Sequence, residues 1–167
     1  MADFVFIGDS IIEWLHTRHY FPDLIISNHG IAGDTISGVG NRLNFAIQEK
    51  PNGILVMVGH NDLVMYPYPE DALQEYEKLC QPLESSGIQR VFITGLLPID
   101  FIPAQTVIKF NDGIKVLAKK KKFTFIPVRE KFILENGKAR PDLSDGLHLT
   151  EQGYNVLADV IKKNICI

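Results

Sequence analysis

Residues 54–58 read Ile-Leu-Val-Met-Val, apolar at every position. A strand with one wet face alternates, whereas a strand covered on both faces is apolar throughout. This run therefore predicts the centre of a parallel sheet with helices on either side. Four more short β-rich runs accompany it, at Phe4–Ile7, Leu24–Ser27, Val91–Thr94 and Phe123–Pro127. Helical spacing of apolar residues in the stretches between predicts helices over residues 10–17, 35–49, 70–86, 104–120 and 151–163. Alternation of this kind implies an α/β fold with a parallel sheet. Thr150 is an N-cap candidate for the last helix and Gly87 a stop for the third. Lys119–Lys122 reads as the solvated end of the fourth, where cations meet the negative end of the dipole.

One domain, residues 1–167, accommodates this pattern, and its hydrophobic and charged fractions of 46% and 22% argue against disorder and coiled coil. The 17 Lys+Arg against 20 Asp+Glu leave a net charge of -3, without the basic excess of a nucleic-acid binder. Cys80 and Cys166 have no CxxC spacing and no neighbouring His, so they read as buried small hydrophobes rather than a disulfide or zinc pair. No apolar run approaches the roughly 20 residues of a membrane span. The opening Met1-Ala2-Asp3-Phe4 carries an acid where a signal peptide wants basic residues, so the expectation is a soluble cytoplasmic chain.

Open parallel sheets bind ligands at the carboxyl ends of their strands. Four groups follow strands or precede the last helix: Gly8-Asp9-Ser10-Ile11, Gly30-Ile31-Ala32-Gly33-Asp34-Thr35, Gly59-His60-Asn61-Asp62 and Asp145-Gly146-Leu147-His148. Together they supply the parts of an acyl-transfer site. Ser10, on a tight strand-to-helix turn, is a nucleophile once a base takes its proton, and His148 is the candidate base. A single turn brings the Asp145 carboxylate towards that imidazole, to hold its tautomer. A tetrahedral oxyanion needs pre-aimed donors, which the Gly33 backbone N–H and the Asn61 side-chain amide can offer. Singly these are an N-cap, a turn glycine, a loop Asn and a surface His; their order along one rim is what points to catalysis.

In that order and spacing the four blocks resemble the SGNH hydrolases of the GDSL esterase/lipase group, with Ile11 in place of the usual Leu. The resemblance implies a three-layer α/β/α, flavodoxin-like fold with a five-stranded parallel sheet. It implies a serine esterase acting on a small-molecule ester through Ser10, Asp145 and His148, without metal or organic cofactor. The Ser10 N–H, Gly33 and Asn61 would form the oxyanion hole.

His60 departs from the family pattern, where Gly or Thr is frequent. It reads either as a bystander near the acyl entrance or as a substrate contact. Tyr66, Tyr68, Phe101 and Ile102, in the loops 63–69 and 97–104, either line a substrate pocket or cap the core. Trp14 reads as core, and His16, His19 and His29 as structural or surface residues. Within the enzyme class the alternative substrate is an O-acetylated carbohydrate. From another class, a non-catalytic flavodoxin-like binding module would share the sheet. It lacks a phosphate cradle in the first loop, however, and leaves the Asp145/His148 spacing unexplained. A chain of this length leaves little for a lid, which favours small or soluble esters.

Overall fold

The computed structural model describes residues 2–165. Strands β1 (Phe4–Gly8), β2 (Ile26–Gly30), β3 (Gly53–Met57), β4 (Arg90–Thr94) and β5 (Thr124–Ile126) form one parallel sheet in the order β2-β1-β3-β4-β5. Between them run α1 (Ser10–Glu13), α2 (Thr17–Tyr20), α3 (Ile36–Gln48), α4 (His60–Met65), α5 (Pro69–Ser85) and α6 (Ala104–Lys121). A 3-10 turn at Arg129–Lys131 and a long loop lead to α7 (Glu151–Ile165). Cys166 lies outside the described residues.

Pleating divides the strand residues between two cores. Val5, Ile7, Ile54, Val56, Val91 and Ile93 pack with α3, α5 and α6. Phe4, Phe6, Leu55, Met57 and Phe92 pack with α1, α2 and α7 on the other face. Because β1 and β3 are buried throughout, their apolar runs carry no alternation. The register Gly8↔Met57 brings the ends of β1 and β3 level. Chain direction across the sheet reverses between these two strands, and the crevice beyond them is where this architecture places ligands.

Three expectations shift. The second strand is displaced to Ile26–Gly30, because its partner β1 pairs Phe6 with Asn28 and Ile7 with His29. Polar residues thus occupy strand positions that a hydrophobic pattern cannot mark. The first helix is two short ones. Asn28 Nδ2 donates to the carbonyls of Ile12 (2.7 Å) and Leu15 (3.1 Å), which satisfies the end of α1 and lets the chain turn before α2. Residues 60–65, the third motif and the start of an expected loop, are the helix α4. No helix among the described residues is long and apolar enough to cross a membrane.

Candidate active site

Gly8 closes β1, and a Cβ there would lie 2.0 Å from the Met57 carbonyl oxygen, so only glycine lets the two strand ends meet. Asp9 then caps α1, its Oδ1 accepting from the Ile11 N–H at 3.0 Å. Ser10 is the first residue of α1 and is 7% exposed. Asp9 itself is fully buried, and its Oδ2 accepts from His60 Nδ1 at 2.9 Å. His60 Nε2 in turn accepts from the Leu97 N–H at 3.1 Å. A nitrogen that accepts must carry a lone pair, so these partners assign the proton to Nδ1 and make the ring neutral. His60 is 2% exposed with both nitrogens engaged, which corrects its reading as a substrate contact. It ties together the segments that follow β1, β3 and β4.

The second motif leaves β2 at Gly30, and the Ile31 N–H donates to the Gly8 carbonyl at 3.0 Å. Gly33 has φ +78 and nothing within 4 Å of where a Cβ would stand. The requirement for glycine there is therefore conformational, and the approach above it is open. Thr35 caps α3 by accepting from the Gly38 N–H at 3.1 Å. Two side chains from the third motif fasten this loop. Among the described residues Asn61 Nδ2 donates only to the Asp34 carbonyl, at 2.8 Å, which leaves its second N–H free. The Asp62 carboxylate accepts from the Ile36 N–H at 3.1 and 3.2 Å. Burial pushes the Asp62 carboxyl above its ordinary 3.8, against the lowering effect of that hydrogen bond, and Asp9 and Asp34 add repulsion.

Arg42 completes the frame. Its guanidinium pairs with Asp34 at 2.7 Å and donates to the Gly8 carbonyl at 2.9 Å and to the His29 carbonyl. One side chain of α3 thus holds the ends of β1 and β2 and the Gly33 loop. The sequence reading missed it. Asp34 precedes the cap of α3 and Arg42 lies inside that helix, so no regular spacing marks the pair, and its other partners are carbonyls, which no residue type marks.

In the loop before α7, Asp145 Oδ1 accepts from the Leu147 N–H at 3.0 Å and the His148 N–H at 2.8 Å. The His148 N–H bond, with the Leu147 bond and the imidazole nearby, holds the Asp145 carboxyl below its ordinary 3.8 although partial burial opposes this. His148 Nδ1 stands 4.0 Å from Asp145 Oδ2, too far for a hydrogen bond. Asp145 therefore shapes the turn that carries the imidazole rather than gripping the ring. The ring itself lies against Trp14 in a tilted contact, with centroids 4.7 Å apart and planes at 49°. Trp14 is 43% exposed, which corrects its reading as core: α1 stops at Glu13, and the indole leaves the interior to face His148. Among the described residues Ser10 Oγ makes no hydrogen bond to His148; in hydrolases such bonds often tighten only around substrate.

Tyr66 and Tyr68 are exposed and line a cavity of about 330 Å³ with Thr35, Met65 and Ala72, between α4 and α5. Phe101 is exposed, while its neighbour Ile102 lines a different cavity, beside Asp100. His16 and His19 border a groove with Trp14, and His29 pairs with Glu49 at 2.6 Å. Among the described residues no group of three or more His, Cys, Asp or Glu stands close enough to hold a metal ion.

Residues 6–156 match the GDSL-like lipase/acylhydrolase family. The fold is similar to that of a GDSL-like lipase from Bacteroides thetaiotaomicron. That pair has a TM-score of 0.84 and 24% identity, over 96% of this chain and 85% of that one. It is also similar to a member of the lipolytic G-D-S-L family from Veillonella parvula (TM-score 0.82, 18% identity, 98% and 97% covered). A third likeness is to a mutant of Axe2, an acetyl-xylooligosaccharide esterase from Geobacillus (TM-score 0.77, 18% identity, 99% and 94% covered). No curated protein matched the sequence.

Proposed function

Since the chain belongs to the GDSL-like lipase/acylhydrolase family, we propose that it cleaves small carboxylic esters through an acyl-enzyme on Ser10. Ser10 Oγ attacks the ester carbonyl as His148 accepts its proton. The resulting oxyanion takes hydrogen bonds from the Ser10 N–H, the Gly33 N–H and the free N–H of Asn61 Nδ2. His148 returns the proton to the departing alcohol as the carbon–oxygen bond breaks. Water, deprotonated by His148, then attacks the acyl-enzyme and releases the acid, restoring the Ser10 hydroxyl.

The observation that carries this reading is the 2.8 Å bond from Asn61 Nδ2 to the Asp34 carbonyl. It fastens the residue after Gly33 to the side chain proposed as the other oxyanion donor, so the two donors keep one spacing. Preorganisation of that kind is what an oxyanion site needs, because donors that must first reorient lose most of their effect. Exposed Tyr66 and Phe101 are proposed to contact the substrate at the edges of the site.

Labelling with a fluorophosphonate probe, followed by peptide mapping, tests the proposal. Ser10 is expected to carry the label, and Ser10→Ala to abolish both labelling and hydrolysis of p-nitrophenyl acetate. A folded protein whose Ser10 ignores the probe overturns it. Rates on p-nitrophenyl esters of increasing acyl length, beside acetylated xylo-oligosaccharides, separate simple esters from sugar acetates.

A further inference from the structure

Arg129 opens the 3-10 turn beyond β5 and is only 8% exposed. Among the described residues its Nε has no hydrogen-bond partner, and Nη2 reaches the Gly137 carbonyl only at 3.4 Å. Among the described residues no carboxylate pairs with it, although Arg42 and Arg140 each have one. A guanidinium buried without a counter-charge is destabilising, since desolvation is then uncompensated. Such a group is retained where something of opposite charge comes to meet it.

The side chain lines a cavity of about 280 Å³ whose other walls include Pro98, Ile99, Asp100, Asn136 and Lys138. This cavity lies on the same rim as Ser10. Its Pro98–Asp100 wall begins next to Leu97, which His60 holds, and the Asp100 N–H donates to the Gly146 carbonyl at 2.9 Å. Gly146 belongs to the turn that carries His148. Asp100 Oδ1 accepts from the Ala139 N–H at 3.0 Å, and the two cations of the lining, Arg129 and Lys138, outnumber this one carboxylate.

We propose that this cavity receives the carboxylate or phosphate group of an anionic ester substrate, with Arg129 as its principal partner and Lys138 as a second cation. The planar guanidinium offers parallel N–H donors that match two oxygens of either group. The small volume and the apolar Pro98 and Ile99 walls suit a short organic anion rather than a long acyl chain. The substrate part of this proposal rests on the ester-hydrolase reading; anion binding at Arg129 does not.

Two measurements on the whole chain separate the parts. Calorimetric titration with inorganic phosphate is expected to show binding that weakens about tenfold or more in Arg129→Gln, with Arg129→Lys intermediate. The ratio of kcat/KM for glycerol phosphate acetate to that for glycerol acetate is expected to fall by about tenfold or more in Arg129→Gln. Absence of phosphate binding in the unaltered protein, or binding that survives Arg129→Gln, overturns the site. Arg129-dependent binding with an unchanged ester ratio overturns the substrate assignment. Anion binding in a protein that hydrolyses neither ester shows instead that the ester reading has failed while the site stands. Thermal unfolding of Arg129→Met guards the result. An unpaired cation predicts no loss of Tm, whereas a marked fall would make Arg129 a tie to Gly137 and overturn the proposal.

Discussion

The Trp14 indole packs against the His148 imidazole with centroids 4.7 Å apart, joining the end of the first helix to the loop before the last. Aromatic pairs of this kind contribute about 0.5–1.5 kcal/mol. Here that energy holds the proposed base in place while its Asp145 neighbour stands 4.0 Å away. Trp14→Ala is expected to lower kcat about tenfold with little change in KM, and Trp14→Phe to recover most of the loss. Steady-state kinetics on p-nitrophenyl acetate decide it; an unchanged kcat in Trp14→Ala means other contacts hold the ring.

Removing His60 should act on stability first. His60→Ala leaves a fully buried Asp9 oxygen and the Leu97 N–H without partners, and is expected to cost about 3 kcal/mol. Asparagine can reproduce the Nδ1 donor but not the Nε2 acceptor, so His60→Asn is expected to fall between the two. Urea unfolding midpoints order the three proteins, and equal midpoints for Ala and Asn contradict the Asp9 bond as the main contribution.

For Asp145 the sign of the pH dependence follows from its lowered carboxyl. A folded-state value below the ordinary 3.8 means that the folded protein holds Asp145 ionised to lower pH than the unfolded chain does. Its contribution to stability is therefore lost only as pH falls through that lower value. The acid limb of kcat/KM at milder pH must come from another group and should persist in Asp145→Asn. Because asparagine can still accept from the Leu147 and His148 N–H groups, this variant is expected to lose only about tenfold in kcat. His148→Ala should lose about 10³-fold. A pH–rate series on both variants is the check.

Burial pushes the Cys80 thiol up to about 12, with Lys121 pulling it down and Glu77 and Glu84 pushing it further up. The thiol is thus protonated at neutral pH and a poor nucleophile. Ellman's reagent is expected to leave Cys80 unmodified in the native protein and to modify it on unfolding, with peptide mapping to distinguish Cys166. A raised folded value also means that stability is lost as pH climbs past the ordinary 9.0 towards about 12.

Central strand β3 was legible because both its faces are buried, and the first three motifs because they stand where parallel strands end. Polar β2 was placed two residues early, since its Asn28 and His29 face neighbours that only pairing with β1 supplies. Ser10, Gly33, Asn61, Asp145 and His148 carry recognisable chemistry in a fixed order. Their supports do not. Arg42 bonds to carbonyls, and Asp9 meets His60 across 51 residues. Trp14 turns outward because a helix stops one residue before it. Each depends on long-range geometry that residue type alone cannot express.

The bonds that frame the site span the chain: 51 residues from Asp9 to His60, 37 from His60 to Leu97, and 34 from Gly8 to Arg42. Closing such distances is slow, because chain entropy must be surrendered before the contacts return anything. A chain emerging during synthesis therefore holds its motif serine long before it holds a working centre. Turnover should be the last property to return on refolding, after helical circular dichroism has recovered, so that enzymatic activity times the completion of the sheet.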